Sequence, residues 1–399
     1  MNILLAIPFP VTEIGGVTTF VTRLQDGLNE RGHNALLLVP GDADQVAPCD
    51  GGGRSNVYSA FLRPWYVRGA VLKGLVAFLG YLPLTLFDLW TFLRRHRIDV
   101  VHVHFPTPSY LYFSLLRPIS RWKLMISVHG SDIYALPRRS RFYQVLLGFL
   151  LSSADCTMAA TAHLIKSLKD AYPGFRGPTR LIPNGNALVG GDRPPAAIPA
   201  LPEEYVLAVG NLLARKGHDV LLTALALVRD QGYDLKVVIV GDGPEAGYLT
   251  ALADELKVRD RVIFAGRVPH EDVRSFYAKA KFFVHPAREE AQGLVLVEAM
   301  ASKKAVIAAR VLGVPELVRD GDTGLLIEPG DAASLAAALI RLATDAALRA
   351  GLVERAYAHV TAEHTWDRFM TRSIDAYETV LRPVAARRTS DVLTQTDSL

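Results

Sequence analysis

The stretch Lys281–Lys304, KFFVHPAREEAQGLVLVEAMASKK, changes its backbone period within a few residues, and that restricts what can form around it. Phe282–Val284 is a short apolar strand stopped by His285–Pro286. From about Gln292 the apolar positions Leu294, Val297, Met300 and Ala301 recur at helical spacing. The segment therefore runs strand, loop, helix, with Glu289 and Glu290 in the loop and Glu298 inside the helix. The first amides of that helix, near Gln292–Leu294, lack intrahelical acceptors and carry the positive end of the dipole, which predicts an anion seat there; Gly293 would let an anion approach the backbone. At about 1.5 Å of rise per residue, Glu298 lies on the order of 10 Å from Glu290. One carboxylate then stands on each side of the seat. A nucleoside diphosphate sugar has this layout, with a ribose diol, two phosphates and a hydroxyl-rich sugar, and carboxylates accept bonds from hydroxyls. By spacing alone, an amphipathic helix with solvated acids in its first turn would read the same way.

The strand-to-helix alternation occurs throughout the chain. Asn2–Ile7, Ala35–Val39, Asp99–Val103, Leu124–Val128, Thr157–Ala160 and Arg180–Ile182 read as strands of one half. Tyr205–Val209, Lys236–Val240, Val262–Phe264 and Ala305–Ala308 read as strands of the other. Between the halves runs NALVGGDRPPAAIPALP, rich in Pro, Gly and Ala and without periodicity, as a linker would be. A chain of 399 residues that is 50% hydrophobic and 21% charged can bury two cores of ordinary size. No longer repeat relates the halves beyond the βα plan. Helices are predicted near Ala332–Thr344, Ala346–Glu363 and Asp367–Arg382.

Glu290-x7-Glu298, with Gly293 and Glu298–Ala299–Met300, resembles the signature of the retaining glycosyltransferases of family 4. Further matches follow in order: GNLLARKG at 210–217, Gly241–Asp242–Gly243–Pro244, Gly313–Val314–Pro315–Glu316 and Gly321–Asp322–Thr323–Gly324–Leu325. The resemblance extends to about residue 385. It implies the GT-B fold, an α/β architecture of two doubly wound Rossmann-like domains facing a cleft, with a C-terminal helix crossing back to the first domain. On that plan residues 1–186 form the acceptor domain, 187–199 the linker, 200–365 the nucleotide-sugar donor domain and 366–385 the return helix, while 386–399 form a disordered tail.

The resemblance also implies roles. Glu290 and His129 would position the transferred sugar. Lys216, the helix start at Gly293 and Leu294, and Gly16 of the Glu13–Ile14–Gly15–Gly16 loop would hold the diphosphate. Glu298 would bind ribose, and Gly266 and Val268 would meet the base largely through backbone. Several positions depart from the family pattern. Ala291 and Gln292 stand where a small residue and an aromatic are usual, and Asn186–Ala187 follow Pro183–Asn184–Gly185 where an aliphatic residue and Asp are usual. Asn211 replaces the usual arginine, which raises the expectation that Arg215 substitutes for it, and Leu312 replaces a glycine. The expected activity is hexosyl transfer from a nucleoside diphosphate sugar to an acceptor hydroxyl, with retention, in lipid-linked glycan, polysaccharide or glycolipid assembly. A nucleotide-sugar epimerase or phosphorylase on the same fold is one alternative, and a non-catalytic basic membrane-interaction module is another.

Other features bound the reading. Cys49 and Cys156 are the only cysteines, so neither a disulfide framework nor a zinc spacing is present; a reducing, cytoplasmic setting is expected. MNILLAIPFP has too short an apolar run and no basic flank, and reads as a first strand rather than a leader. Asp42–Ala43–Asp44 lies in a turn-rich loop, where acids are commonly solvated, and His102 and His104 share one strand face by period two. Neither is expected to be a metal site, and no cofactor or divalent metal is expected. A formal charge of +4 is too small to indicate nucleic acid as a partner. Ser131 or Asp132 is expected to cap the helix after His129. Phe61–Arg97 interleaves Arg63, Arg68, Lys73, Arg94, Arg95 and Arg97 with Trp65, Tyr66, Phe78, Tyr81, Phe87 and Trp90, which suits peripheral attachment to an anionic membrane surface on the inner face of the cytoplasmic membrane. Pro83 and the short uncharged run Gly74–Phe87 argue against a membrane span.

Overall fold

The computed structural model describes residues 1–11, 16–42, 45–62, 71–134, 141–186 and 201–382; the side chains of residues 71–73, 75, 142, 270 and 271 fall outside the description. Glu13–Gly15, Asp44, Arg63, Trp65, Tyr66, Arg68, the expected linker 187–199 and the expected tail 386–399 also lie outside the described residues. The chain divides into two units. One holds Met1–Ala160, Leu164–Ile182 and the chain from Met370; the other holds Thr161–His163 and Pro183–Phe369.

In the first unit β1 (Asn2–Ala6), β2 (Asn34–Pro40), β3 (Ala47–Pro48), β4 (Val57–Ala60), β5 (Val100–His104), β6 (Lys123–Val128), β7 (Cys156–Ala159) and β8 (Thr179–Leu181) form one sheet, ordered β3-β4-β2-β1-β5-β6-β7-β8. All pairings are parallel except β3 with β4. The apolar runs of β1, β2, β5 and β6 are buried along nearly their whole length, as parallel strands covered on both faces must be. Strand order reverses at β1, which has β2 on one side and β5 on the other, so the loops leaving β1 and β5 diverge and open a crevice at their carboxyl ends.

Around this sheet run α1 (Gly16–Glu30), α2 (Val71–Arg95), α3 (Leu111–Leu116), α4 (Ser131–Tyr134), α5 (Arg141–Ser152) and α6 (Ala162–Ala171). Helix α2 continues through Pro83 for 25 residues. It buries Leu89, Phe92 and Leu93 and leaves Val76, Leu79, Leu84 and Phe87 exposed.

The second unit holds β9 (Val206–Val209), β10 (Val237–Val240), β11 (Val262–Gly266), β12 (Phe282–His285), β13 (Val306–Ala309) and β14 (Leu325–Ile327). They form an all-parallel sheet ordered β11-β10-β9-β12-β13-β14. Here the order reverses at β9. The helices are α7 (His218–Asp230), α8 (Ala246–Glu255), α9 (His270–Lys279), α10 (Leu294–Ala301), α11 (Val314–Leu317), α12 (Ala332–Thr344), α13 (Ala346–Glu363) and α14 (Trp366–Leu381). Asp331 and Asp345 cap α12 and α13 by accepting bonds from first-turn amides. From Met370, α14 belongs to the first unit, where Tyr377 Oη lies 2.7 Å from His102 Nδ1 and Arg180 pairs with Asp375 at 2.7 Å.

Three details differ from the sequence reading. Strands β3, β4 and β14 were not anticipated: β3 is two residues ending in proline, β4 mixes polar with apolar side chains, and β14 follows directly on the glycine-rich turn at Gly321–Gly324. Helix α10 begins at Leu294 rather than near Gln292, since Gly293 is left-handed at φ 84° and the side chain of Gln292 is drawn away to accept from the Asn184 amide. Neither Ser131 nor Asp132 caps its helix from outside. Asp132 lies within α4, and its buried carboxyl reaches back to accept from the amides of His129 and Gly130.

Candidate active site

The crevice of the second unit lies where β9 and β12 part. After β9 the chain makes a short turn, Ala214–Lys216, and enters α7 through Gly217, which sits at φ 69°. A Cβ there would fall 2.0 Å from the Pro286 carbonyl oxygen, so the loops after β9 and β12 can cross this closely only at a glycine. Arg288 fixes the crossing. Its guanidinium grips both oxygens of Asp219 at 2.7 and 2.6 Å and also bonds to the Ala214 carbonyl, while its amide donates to the Arg215 carbonyl.

Within this frame Lys216 Nζ lies 2.6 Å from Glu290 Oε2, and His285 Nε2, on the last residue of β12, lies 2.9 Å from the same oxygen. Burial pushes the Glu290 carboxyl upward, but Lys216 and His285 outweigh it and hold the group well below the usual carboxylate range. Burial lowers His285 despite its carboxylate neighbour, so the ring is neutral and its Nε2–H donates to Glu290. Oε1 of Glu290 takes no hydrogen bond among the described residues. Beyond Glu290, the amides of Leu294 and Val295 open α10 without an acceptor among the described residues, as an anion seat requires.

Glu298 is 6% exposed on α10. Asn186 Nδ2 lies 3.3 Å from its Oε1, and Tyr277 Oη lies 3.0 Å from its Oε2. The single tyrosine proton has the Val295 carbonyl at 3.2 Å as its other acceptor, and the charged oxygen is the stronger of the two. Each oxygen of Glu298 therefore has a protein donor, and a carboxylate is an acceptor for more than two hydrogen bonds. Gln292 is buried and joins Asn184 to His364, which it reaches at 3.4 Å. Asn211 and Arg215 are exposed, and the Arg215 guanidinium has no ion pair among the described residues. Gly266 closes β11 at φ 70° and accepts from the Gly241 amide, with Val268 two residues beyond.

In the first unit, Gly16 opens α1 with open space where a Cβ would stand. His129 follows β6, and its Nε2 lies 3.2 Å from Nδ1 of His104 at the carboxyl end of β5. Burial lowers His129 to about 4, so the ring is neutral, and its Nδ1 makes no hydrogen bond among the described residues. His102 is bonded on both nitrogens, to Tyr377 at 2.7 Å and Ser127 at 2.8 Å. Among the described residues no three His, Cys, Asp or Glu side chains cluster as metal ligands.

The second unit thus brings Lys216, Glu290, Gly293, Leu294 and Glu298 to the strand crossing, with Arg215 on the turn beside Lys216. Sequence reasoning gave no role to His285, Arg288, Tyr277 or Asn186. The placement of His285 at a strand end beside the loop glutamate was a usable signal; Tyr277, 21 residues before Glu298 and on another helix, offered none.

Residues 15–185 match the family model described as a glycosyl transferase 4-like domain, and residues 196–359 match that of glycosyl transferases group 1. The chain is 27% identical over 383 residues to the N-acetyl-alpha-D-glucosaminyl L-malate synthase of Bacillus anthracis, an alignment covering 92% of this chain and 95% of that protein. It is 28% identical over 387 residues to the phosphatidyl-myo-inositol mannosyltransferase of Mycolicibacterium smegmatis, covering 95% and 94%. The solved structure of Anabaena HepE in complex with UDP-glucose shares the fold at a TM-score of 0.72 and 20% identity, covering 95% of this chain and 99% of that one.

Proposed function

This chain belongs to the group 1 glycosyl transferases, of family 4 type with the GT-B fold, and is a glycosyltransferase; from that premise we propose that it moves a sugar from a nucleoside diphosphate sugar to an acceptor hydroxyl with retention of configuration. The observation that carries this reading is the contact of Lys216 and His285 with one oxygen of Glu290 at the strand crossing, next to the open amides of α10. Lys216 has two further N–H groups for phosphate oxygens, and Glu290 Oε1 can accept from a sugar hydroxyl. The sugar C1–O bond breaks with its electron pair leaving on the diphosphate, where Lys216, Arg215 and the α10 amides stabilise the developing charge. The acceptor oxygen bonds to C1 on the same face and passes its proton to the departing phosphate oxygen. His129 is assigned to the sugar through Nδ1, the nitrogen that His104 does not engage. Glu298 is assigned to the ribose, Gly16 to the phosphates, and Gly266 and Val268 to the base.

The likeness to HepE, which binds UDP-glucose, supports a nucleotide-sugar donor. The Mycolicibacterium relative, named for a phosphatidylinositol acceptor, favours a lipid-linked one. In the first unit a cavity of about 210 Å³ at the carboxyl ends of β1, β2 and β4, lined by Pro8, Leu38, Ala60, Phe61, Leu62 and Tyr110, fits an acceptor with an apolar part. Thermal shift with UDP, GDP, ADP and their sugars tests the donor, since a ligand that binds only the native state raises Tm; no shift with any of them at millimolar concentration would refute the reading. Release of the nucleoside diphosphate should require an acceptor and persist in EDTA, because cationic side chains and a helix end supply the positive charge. Turnover without an acceptor would indicate an epimerase or phosphorylase instead.

A further inference from the structure

The end of the first unit opposite the ligand edge carries a second constellation. Helix α2 ends at Arg95, five residues before β5 begins, and Ile119–Trp122 lead directly into β6, so both lie at the amino ends of their strands. Between them is a cavity of about 550 Å³ whose lining includes Trp90, Arg94, Arg97, Ile119, Arg121 and Trp122 and no carboxylate. Arg94 lies over the Trp90 ring at 4.7 Å. The guanidinium groups of Arg94, Arg97 and Arg121 have no ion pair or hydrogen bond among the described residues. Asp88, the nearest acid on α2, is already engaged by the Val46 amide at 2.6 Å. Three exposed cations lining one recess, with no carboxylate among the lining, make it a positively charged pocket that suits an anion.

The apolar surface leading to this recess points to what carries the anion. Val76, Phe87 and Arg94 are separated by 11 and 7 residues, close to three and two helical turns, so the exposed stripe of α2 ends in the arginine that lines the cavity. Leu84 and Phe87 are each 66% exposed. Helix α3 lies against α2, and α5 lies against α3. These neighbours add the exposed side chains Leu115, Val145 and Phe149, and the turn after α3 adds Ile119. Val76–Arg95 is long and apolar enough to cross a bilayer, but its other face packs Leu89, Phe92 and Leu93 into the core, which fixes it on the surface of the unit. A helix anchored along one side with a cationic end can rest in the headgroup layer with its outer side chains at the acyl boundary.

We propose that the Arg94/Arg97/Arg121 recess with its Trp90 and Trp122 walls binds the phosphate headgroup of an anionic phospholipid, seating the α2–α3–α5 face in the bilayer surface. An anionic bilayer supplies both elements of this surface at once, negative charge for the recess and apolar depth for the stripe. A second copy of the chain would leave the recess without a counter-charge unless an acidic patch faced it. The site is independent of glycosyl transfer, because it lies about a strand's length from the crevice at the carboxyl ends.

Co-sedimentation of the full chain with phosphatidylcholine vesicles, with and without phosphatidylglycerol, tests it. Binding should require the anionic lipid and weaken as salt rises. The triple variant Arg94→Ala/Arg97→Ala/Arg121→Ala should lose about a hundredfold in affinity, as three basic residues near an anionic surface imply. A charge-matched control, Lys257→Ala/Lys279→Ala/Arg341→Ala, should retain it. Brominated lipids should quench wild-type tryptophan emission, less so after Trp90→Phe/Trp122→Phe. Equal binding to neutral vesicles, equal loss in the control, absence of quenching, or a dimer abolished by Phe87→Asp would each overturn the proposal.

Discussion

The ammonium of Lys216 lies 2.6 Å from Oε2 of Glu290, joining the loops after β9 and β12 where the second sheet reverses its strand order. Both side chains are 15% exposed, so each neutralises a charge that would otherwise be poorly solvated. The pair makes the site neutral at this point before any donor arrives, while leaving other donor and acceptor sites on both partners unused. Placing them together depends on Gly217 and on the Arg288–Asp219 clamp, neither of which touches the pair's own atoms.

Lys216→Met therefore should weaken donor binding and also strand the carboxylate. Breaking a buried pair costs roughly 3 kcal/mol, and that loss should appear at neutral pH. The native Glu290 value is depressed, so its contribution to stability is present above the unfolded carboxylate range and disappears as pH falls below about 4. In Lys216→Met burial acts with less opposition, the depression shrinks, and the difference from wild type should narrow on acidification. Urea midpoints from pH 3 to 7 check this; a difference independent of pH would contradict it.

Glu298→Ala should reduce donor affinity by roughly ten- to hundredfold, the range for losing a hydrogen bond to a charged partner. The fold should persist, since Tyr277 retains the Val295 carbonyl as an acceptor. Asn186→Asp should weaken binding too, by setting a second carboxylate about where Nδ2 lies 3.3 Å from Glu298. Calorimetric titration with nucleoside diphosphate and nucleoside diphosphate sugar measures both effects, and wild-type affinity in a folded Glu298→Ala protein would remove this residue from the site.

Acid should destabilise the protein well above the usual carboxylate range. Burial lowers His102 to about 3, His129 and His218 to about 4, and His104 well below its ordinary value. All four take up protons in the unfolded chain near pH 6.5 but resist them when folded, so their contribution is present above about 6.5 and is lost as pH falls toward 4. Asp132 acts in the opposite direction. Burial raises it to about 6, and its contribution is lost as pH rises through that value. The lowered histidines, His285 among them, outnumber this one carboxyl, so the unfolded state holds more protons, and stability should drop by about 1.4 kcal/mol per pH unit for each net proton. Removing one of them, with His129→Gln, should flatten the urea-midpoint profile between pH 6.5 and 5; an unchanged slope would show that His129 titrates normally.

The strands that build the two sheet centres were legible because a parallel strand covered on both faces is a continuous apolar run, as in NILLA and FFVH. So was the glycine-led helix after Glu290, since Gly293 and the period of α10 lie within one stretch of sequence. Contacts made by residues far apart were not legible. Tyr277 and Asn186 meet Glu298 from separate elements, and His285 meets Glu290 through the direction in which β12 ends. Departures from the family pattern proved informative where the backbone is constrained. Leu312, at the position expected to be glycine, sits at φ 43°, in the region that favours glycine, and next to it a Cβ on Gly313 would fall 2.0 Å from the Ala291 carbonyl. Gln292, in place of an aromatic, makes the polar bridge between Asn184 and His364.

The arginine missing at Asn211 leads to the last prediction. Arg215 lies on the three-residue turn that also presents Lys216, and its carbonyl is pinned by the amides of Arg288 and Glu289, so the backbone that carries it is fixed. Its guanidinium is exposed and has no ion pair among the described residues. Because Lys216 is already balanced by Glu290, Arg215 on the same turn is a side-chain charge with no ion pair among the described residues, and a diphosphate needs more than a helix end. Arg215→Ala should lower diphosphate affinity about tenfold at low salt, with less effect as ionic strength rises. Asn211→Arg should recover part of that loss when Arg215 is alanine and add little when Arg215 is present, a non-additivity that a double-mutant cycle measures directly. Full additivity of the two substitutions, or wild-type affinity in Arg215→Ala, would show that Arg215 does not act in place of the missing arginine.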